Sequence, residues 1–111
     1  MNYQNVTPIQ LGQAAITTSV ATLYTVPTSS LVYLKDIDIC NTTGNPISVN
    51  IYLVVSGSSA TTSNALFYGA SVPAKSTLQW TGSQILLTGQ TVQVSASATG
   101  CTIIASGGQA V

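Results

Sequence analysis

The sequence predicts an all-β fold: a two-sheet antiparallel sandwich, jelly-roll-like, of about eight short strands. Three observations carry that expectation. Apolar and polar residues alternate with a period of two in the clearest segments. Clusters of turn-forming residues interrupt these segments at short intervals. One piece of punctuation also occurs twice, Val-Pro-Thr-Ser-Ser at 26–30 and Val-Pro-Ala-Lys-Ser at 72–76, 46 positions apart.

Taken in order, residues 1–12 (MNYQNVTPIQLG) read as an N-terminal arm, followed by one sandwich domain over 13–111. Pro8 and Gly12 discourage regular structure in the arm. Tyr3, Val6, Ile9 and Leu11 are nonetheless too apolar for a solvated tail, so the arm is expected to seek a partner surface. The other reading is an edge strand folded back on its own sandwich. Strands are then expected near 13–18, 22–26, 31–40, 47–56, 65–71, 77–80, 84–87, 91–98 and 101–106. In ISVNIYLVV the residues Ile47, Val49, Ile51, Leu53 and Val55 share one face. In TVQVSASAT, Val92, Val94, Ala96 and Ala98 oppose Gln93, Ser95, Ser97 and Thr99. The separators are NTTGNP, GSSATTSN, TGQ and ATG, with TGS after Trp80.

Proline ends a strand because it fixes φ and removes a ladder donor, and a following serine bonds back to the turn backbone. Each Val-Pro-x-x-Ser therefore reads as a crossing from one sheet to its partner. Two such crossings fit a sandwich of two similar β units.

The composition excludes several functions. At 111 residues the chain is one domain. Only 4% of residues are charged, two Lys and two Asp with no Glu, Arg or His, against about 25% in an ordinary soluble domain. Polarity comes instead from 14 Ser and 16 Thr. Without clustered Lys or Arg there is nothing to neutralise phosphates, so no nucleic-acid partner is expected. No apolar run approaches the ~18 residues of a spanning helix, so no membrane partner is expected either. The start of the chain has neither the basic region nor the apolar core of a secretory signal. A neutral, hydroxyl-covered surface suits a protein packed against copies of itself, where like charges would repel.

Catalysis has little to work with. There is no His to act as a base, no Gly-x-Ser-x-Gly elbow and no phosphate-cradling glycine loop. Asp36 and Asp38 fall on one strand face about 7 Å apart, a spacing that any Asp-x-Asp strand produces. It overlaps the carboxylate separation of inverting glycosidases, but two Asp alone make neither that pair nor a hard-metal site. No enzymatic activity, cofactor or metal is expected. Cys40 and Cys101 lack metal-ligand spacing and read as two reduced thiols; simple alternation turns Cys40 outward, and a bulge near Lys35-Asp36 would reverse it. Trp80 reads as a core or rim anchor, or as an interface residue. Asn5 and Asn41 open Asn-x-Thr sequons, which matter only in a secreted protein.

The order of motifs ATLYTVPTSS, LKDIDICNTTGNPISVNIYLV, LFYGASVPAKSTLQW and LLTGQTVQVSASATGCTIIASG resembles small β-sandwich structural proteins of tailed bacteriophages. The likeness spans roughly residues 20–107. It rests on strands and turns: a strand ending in Val-Pro, an Ile-x-Ile-x-Asn-Thr-Thr strand end, the second Val-Pro turn and a late Leu-x-Gly-x-x-Val strand. Gln90 departs from it, standing where an acidic residue is expected. The resemblance implies a virion structural protein assembled in the host cytoplasm. It further implies a capsid decoration (cement) protein that binds the major capsid protein or another virion protein as a homotrimer. A tail, collar or baseplate module, and a host-surface glycan-binding module built on the tyrosines, are the alternatives. The interface candidates are Tyr3, Val6, Ile9, Leu11 and Trp80.

Overall fold

The period-two segments become strands in the computed structural model, which describes residues 6–111. In chain order the strands are β1 (Val6–Ala15), β2 (Ala21–Thr25), β3 (Leu31–Asn41), β4 (Ile47–Val54), β5 (Ala65–Val72), β6 (Thr77–Leu86), β7 (Thr91–Ala96) and β8 (Cys101–Ala110). A 3-10 turn at Thr62–Asn64 interrupts the β4–β5 loop. It is held by Thr61 and Asn64, whose side chains each accept from the other's end of the turn.

The strands form two four-stranded sheets, ordered β1-β8-β3-β6 and β2-β7-β4-β5. The pairs β1–β8, β2–β7, β3–β6 and β4–β5 are all antiparallel, so the chain is a nest of four strand pairs. Joining β8 to β3 and β7 to β4 rolls that nest into a sandwich. This is the jelly-roll course of two interlocked Greek keys.

The core lies between the sheets and follows the alternation. Val32, Leu34, Ile37 and Ile39 of β3 face Val49 and Ile51 of β4 across the interior, with Val92, Ile103 and Leu86 around them. Burying each such side chain contributes roughly 1.5–3 kcal/mol. At the end of β4 the simple alternation stops: Val54 is buried while Val55, expected inside, is exposed.

Both Val-Pro-x-x-Ser segments carry the chain from the second sheet to the first, between β2 and β3 and between β5 and β6. They are built alike. Val26 and Val72 are buried, and the fourth residue of each, Ser29 and Lys75, is left-handed at φ 60° and 53°. The closing serine then donates to the carbonyl two residues back, Ser30 to Thr28 at 3.4 Å and Ser76 to Ala74 at 3.1 Å. Because the strands run antiparallel, the two turns sit at opposite ends of the sandwich.

Two expectations are corrected. Residues 6–12 are not an arm: β1 begins at Val6 and pairs with β8 from Val6↔Ala110 onward. Pro8 is accommodated because β1 is an edge strand, with one side free of ladder bonds. Residues 1–5 of the expected arm lie outside the described residues. The separate strands at 77–80 and 84–87 are one strand, β6. The Thr-Gly-Ser stretch between them forms an irregularity opposite Lys35, where the register moves from Asp36↔Thr81 to Leu34↔Gln84.

Candidate interaction surfaces

The residues expected to meet a partner are distributed differently from that expectation. Ile9 packs on the core and Leu11 is buried within it, because β1 turns both toward β2 and the sandwich interior. Trp80 pairs with Ile37 and so shares its inward face, at the rim of β6. Its ring lies over Gly82, where a Cβ would come within 2.7 Å of it. Trp80 is therefore a rim anchor of the core. Val6 alone of the described candidates is exposed, on the outer face of the first sheet. Tyr3 lies outside the described residues.

Asp36 and Asp38 share the outer face of β3, as the spacing predicts. Asp38 sits opposite Gln79, and Gln79 Nε2 donates to Asp36 Oδ1 at 3.3 Å. Desolvation raises the Asp38 carboxyl above its ordinary 3.8, and hydrogen bonding to Asp36 and the Asp36 charge add to the rise. The folded state therefore holds the Asp38 proton more tightly than the unfolded chain. Stability contributed by the protonated form is present below 3.8 and is lost as pH rises through the folded value. Asp38→Asn is accordingly expected to raise the melting temperature slightly at pH 7 and to leave it unchanged near pH 3. A pair of melting scans checks this, and an equal effect at both pH values would contradict it.

Among the described residues no enclosed pocket occurs, and no group of three or more His, Cys, Asp or Glu side chains comes together. Of the described tyrosines, Tyr33 lies on the first sheet and Tyr24, Tyr52 and Tyr68 on the second. Only Tyr68 is largely exposed.

Cys40 and Cys101 are both free thiols on neighbouring strands, where Cys40 pairs with Thr102 and Cys101 with Asn41. They leave the sheet on opposite faces: Cys101 is buried in the core, while Cys40 lies on the outer face with Asp38. The irregularity at Leu34/Asp36 precedes Ile37 and does not disturb that alternation. Opposed Cβ directions prevent a bridge without backbone movement. Burial, and secondarily Cys40, pushes the Cys101 thiol pKa up. One maleimide adduct is expected on the native protein and two after denaturation, read by intact mass. Two rapid native adducts would contradict the placement.

Asn41, legible in the sequence only as a strand end and a sequon, makes more side-chain hydrogen bonds than any other polar side chain among the described residues. It is fully buried. Its Nδ2 donates to the carbonyls of Asn45 (2.8 Å) and Val72 (3.0 Å). Its Oδ1 accepts from Thr43 N (2.9 Å) and Thr43 Oγ1 (2.8 Å). It thereby ties the β3–β4 loop to the second Val-Pro turn, and its buried amide is closed to glycosylation.

The two outer faces of the sandwich differ in kind. On the second sheet several outward polar side chains satisfy one another, beside the exposed Tyr68. Asn50 Nδ2 donates to Ser95 Oγ at 3.2 Å, Gly69 N donates to Asn50 Oδ1 at 2.8 Å, and Gln93 Nε2 donates to Thr91 Oγ1 at 2.9 Å. The first sheet turns apolar groups outward at one end, while Gln13, Thr77, Gln79, Thr81, Thr102 and Ser106 occupy the rest of its outer face. Val6 is 54% exposed and Ile85 57%, and Ile104 is also exposed. Tyr33 lies between Gly108 and Ile85 in one cross-strand row. Three of the chain's four charged residues, Lys35, Asp36 and Asp38, stand on the same β3 stretch.

No family model matches the chain, and no curated protein matches it. Among solved structures, a chain of infectious bursal disease virus, Gx strain, aligns with it at 12% identity and a TM-score of 0.42. The alignment covers 96% of this chain and 30% of the viral one. A likeness at that level carries no weight for function.

Proposed function

We propose that the protein is a structural component of a virus particle, and most specifically a phage capsid decoration protein that binds the head shell and stabilises it. The observation that carries this reading is a nearly uncharged jelly roll with an exposed apolar patch at one end of its first sheet. Jelly rolls recur in capsid proteins, lectins and cupins, so the topology permits the role without selecting it. The motif order over roughly 20–107 adds the phage assignment. Near-neutrality lets many copies pack closely without repulsion. In this reading the protein has no catalytic role and no cofactor. It self-associates, with three copies the number the resemblance implies, and is assembled in the host cytoplasm, where its free thiols stay reduced.

The test is to mix purified protein with heads assembled without it and to measure the bound amount after sedimentation. Saturable binding in many copies per particle, with heads that survive higher temperature, is the expected result. No binding to heads, with binding to soluble glycans instead, would replace this reading with the glycan-binding one.

A further inference from the structure

We infer that the outer face of the first sheet is where copies of this chain join, with Lys35 of one copy set against Asp36 and Asp38 of the next. The inference rests on the self-association proposed above and assigns it to a surface; one face meeting its own copy closes as a two-fold pair, so it departs from the number three that the resemblance implies.

The face is apolar where a contact needs it to be. Val6, Leu31, Tyr33, Ile85 and Ile104 lie on it, and Leu87 extends it just beyond β6 at 56% exposure. Small residues flatten it: Ala110 and Gly108 of β8 sit between β1 and β3, and the Val6 side chain lies over Gly108. Exposed apolar groups gathered at one end of a sheet face mark an association surface.

Two observations select a further copy of the same chain as the occupant. The first is charge. The face presents one cation, Lys35, beside two anions, Asp36 and Asp38, so two copies related by a two-fold set each Lys35 against the other's carboxylates. The second is area. Four strands spaced ~4.8 Å apart and ten residues long at ~3.3 Å each present about 600 Å². Two such surfaces bury about 1,200 Å², the lower bound of a stable, specific interface. The edge strands offer less: β1 is interrupted by Pro8 and an irregularity at Gln10/Gly12, and β2 has five residues.

Sedimentation velocity over a concentration series tests the assignment with the full chain. Wild type is expected to sediment as a dimer, the closed form of one face meeting its own copy. Lys35→Glu leaves the face only acidic, and Asp36→Lys with Asp38→Lys leaves it only basic. Each variant is expected to need roughly tenfold more protein to associate, and an equimolar mixture of the two should associate like wild type. Ile85→Lys, on an edge strand outside the charged group, gives an independent reading and should also weaken association. Far-UV circular dichroism and a melt establish that each variant is folded. Monomeric wild type at every concentration, or variants that all associate like wild type, would overturn the inference. Binding to heads is read in parallel: its absence, with association lost and rescued as stated, contradicts the virion reading while supporting this one.

Discussion

Replacing Gly107 with alanine is expected to cost on the order of 3 kcal/mol or more, a loss of roughly 15 °C or more in melting temperature. Gly107 lies in β8 opposite Leu34, where the pairing with β3 shifts register before Asp36. A Cβ at this position would overlap the Tyr33 carbonyl oxygen, and would also lie 2.9 Å from the Tyr33 carbonyl carbon and 3.3 Å from Leu34 Cα. All three atoms belong to backbone, so no side chain can swing away, and β3 and β8 must part to admit a methyl group. These are the two central strands of the first sheet, so a local separation weakens the whole layer. Gly44→Ala is the matched control, since a Cβ there meets nothing within 4 Å. It should change stability by no more than about 0.5 kcal/mol. Urea unfolding of the three proteins measures both effects, and equal midpoints for Gly107→Ala and wild type would refute the close-approach account.

Asn41→Leu is expected to destabilise by about 2–4 kcal/mol. Leucine keeps the branched outline of asparagine but is larger, so some overpacking adds to the loss of the polar contacts. Four hydrogen bonds disappear, and the Val72 carbonyl and Thr43 amide lose the partner that met them away from bulk water. Each net bond is worth about 0.5–1.5 kcal/mol, and each stranded buried group adds its own penalty. Because Asn41 links the loop after β3 to the Val-Pro turn after β5, that end of the sandwich should open first. Hydrogen exchange at Asn45 and Lys75 amides should accelerate more in this variant than exchange at Ile51. Uniform acceleration across the sheets would show that Asn41 acts only through global stability.

The parts of the fold legible in the sequence are those set by local chemistry. Alternation in β4 and β7 gave the inward residues through Ile51 and at Val92 and Val94, because a half-buried strand has a period of two and little else competes. The Val-Pro-x-x-Ser pairs read as sheet crossings because proline acts on its own backbone. Their left-handed fourth residues were not legible, since Ser29 and Lys75 carry no glycine signature. Three features depended on distant partners and were misread or missed. Pro8 looked like a breaker, yet an edge strand leaves one side where a missing N–H is harmless. Thr81-Gly82-Ser83 looked like a turn, yet pairing with β3 absorbs it within one strand. Asn41 looked like a loop residue, yet the Val72 carbonyl it holds is 31 positions away.

The same distinction governs the surfaces. Ile9, Leu11 and Trp80 were apolar residues in search of a partner, and the partner is their own core. Ile85 and Ile104 gave no separate signal, because an exposed isoleucine in a strand looks like a buried one until the sheet order places its neighbours. Gathering Val6, Tyr33, Ile85 and the Lys35-Asp36-Asp38 group onto one face required β1, β8, β3 and β6 to be adjacent in that order. Only long-range pairing provides that.

Cryo-electron microscopy of heads saturated with the purified protein tests the central claim most directly. Ordered density is expected at symmetry-related positions on the shell, with the outer face of the first sheet buried between copies and that of the second sheet left free of copy-to-copy contact. Bare heads, or isolated single copies whose first-sheet face is open to solvent, would contradict it.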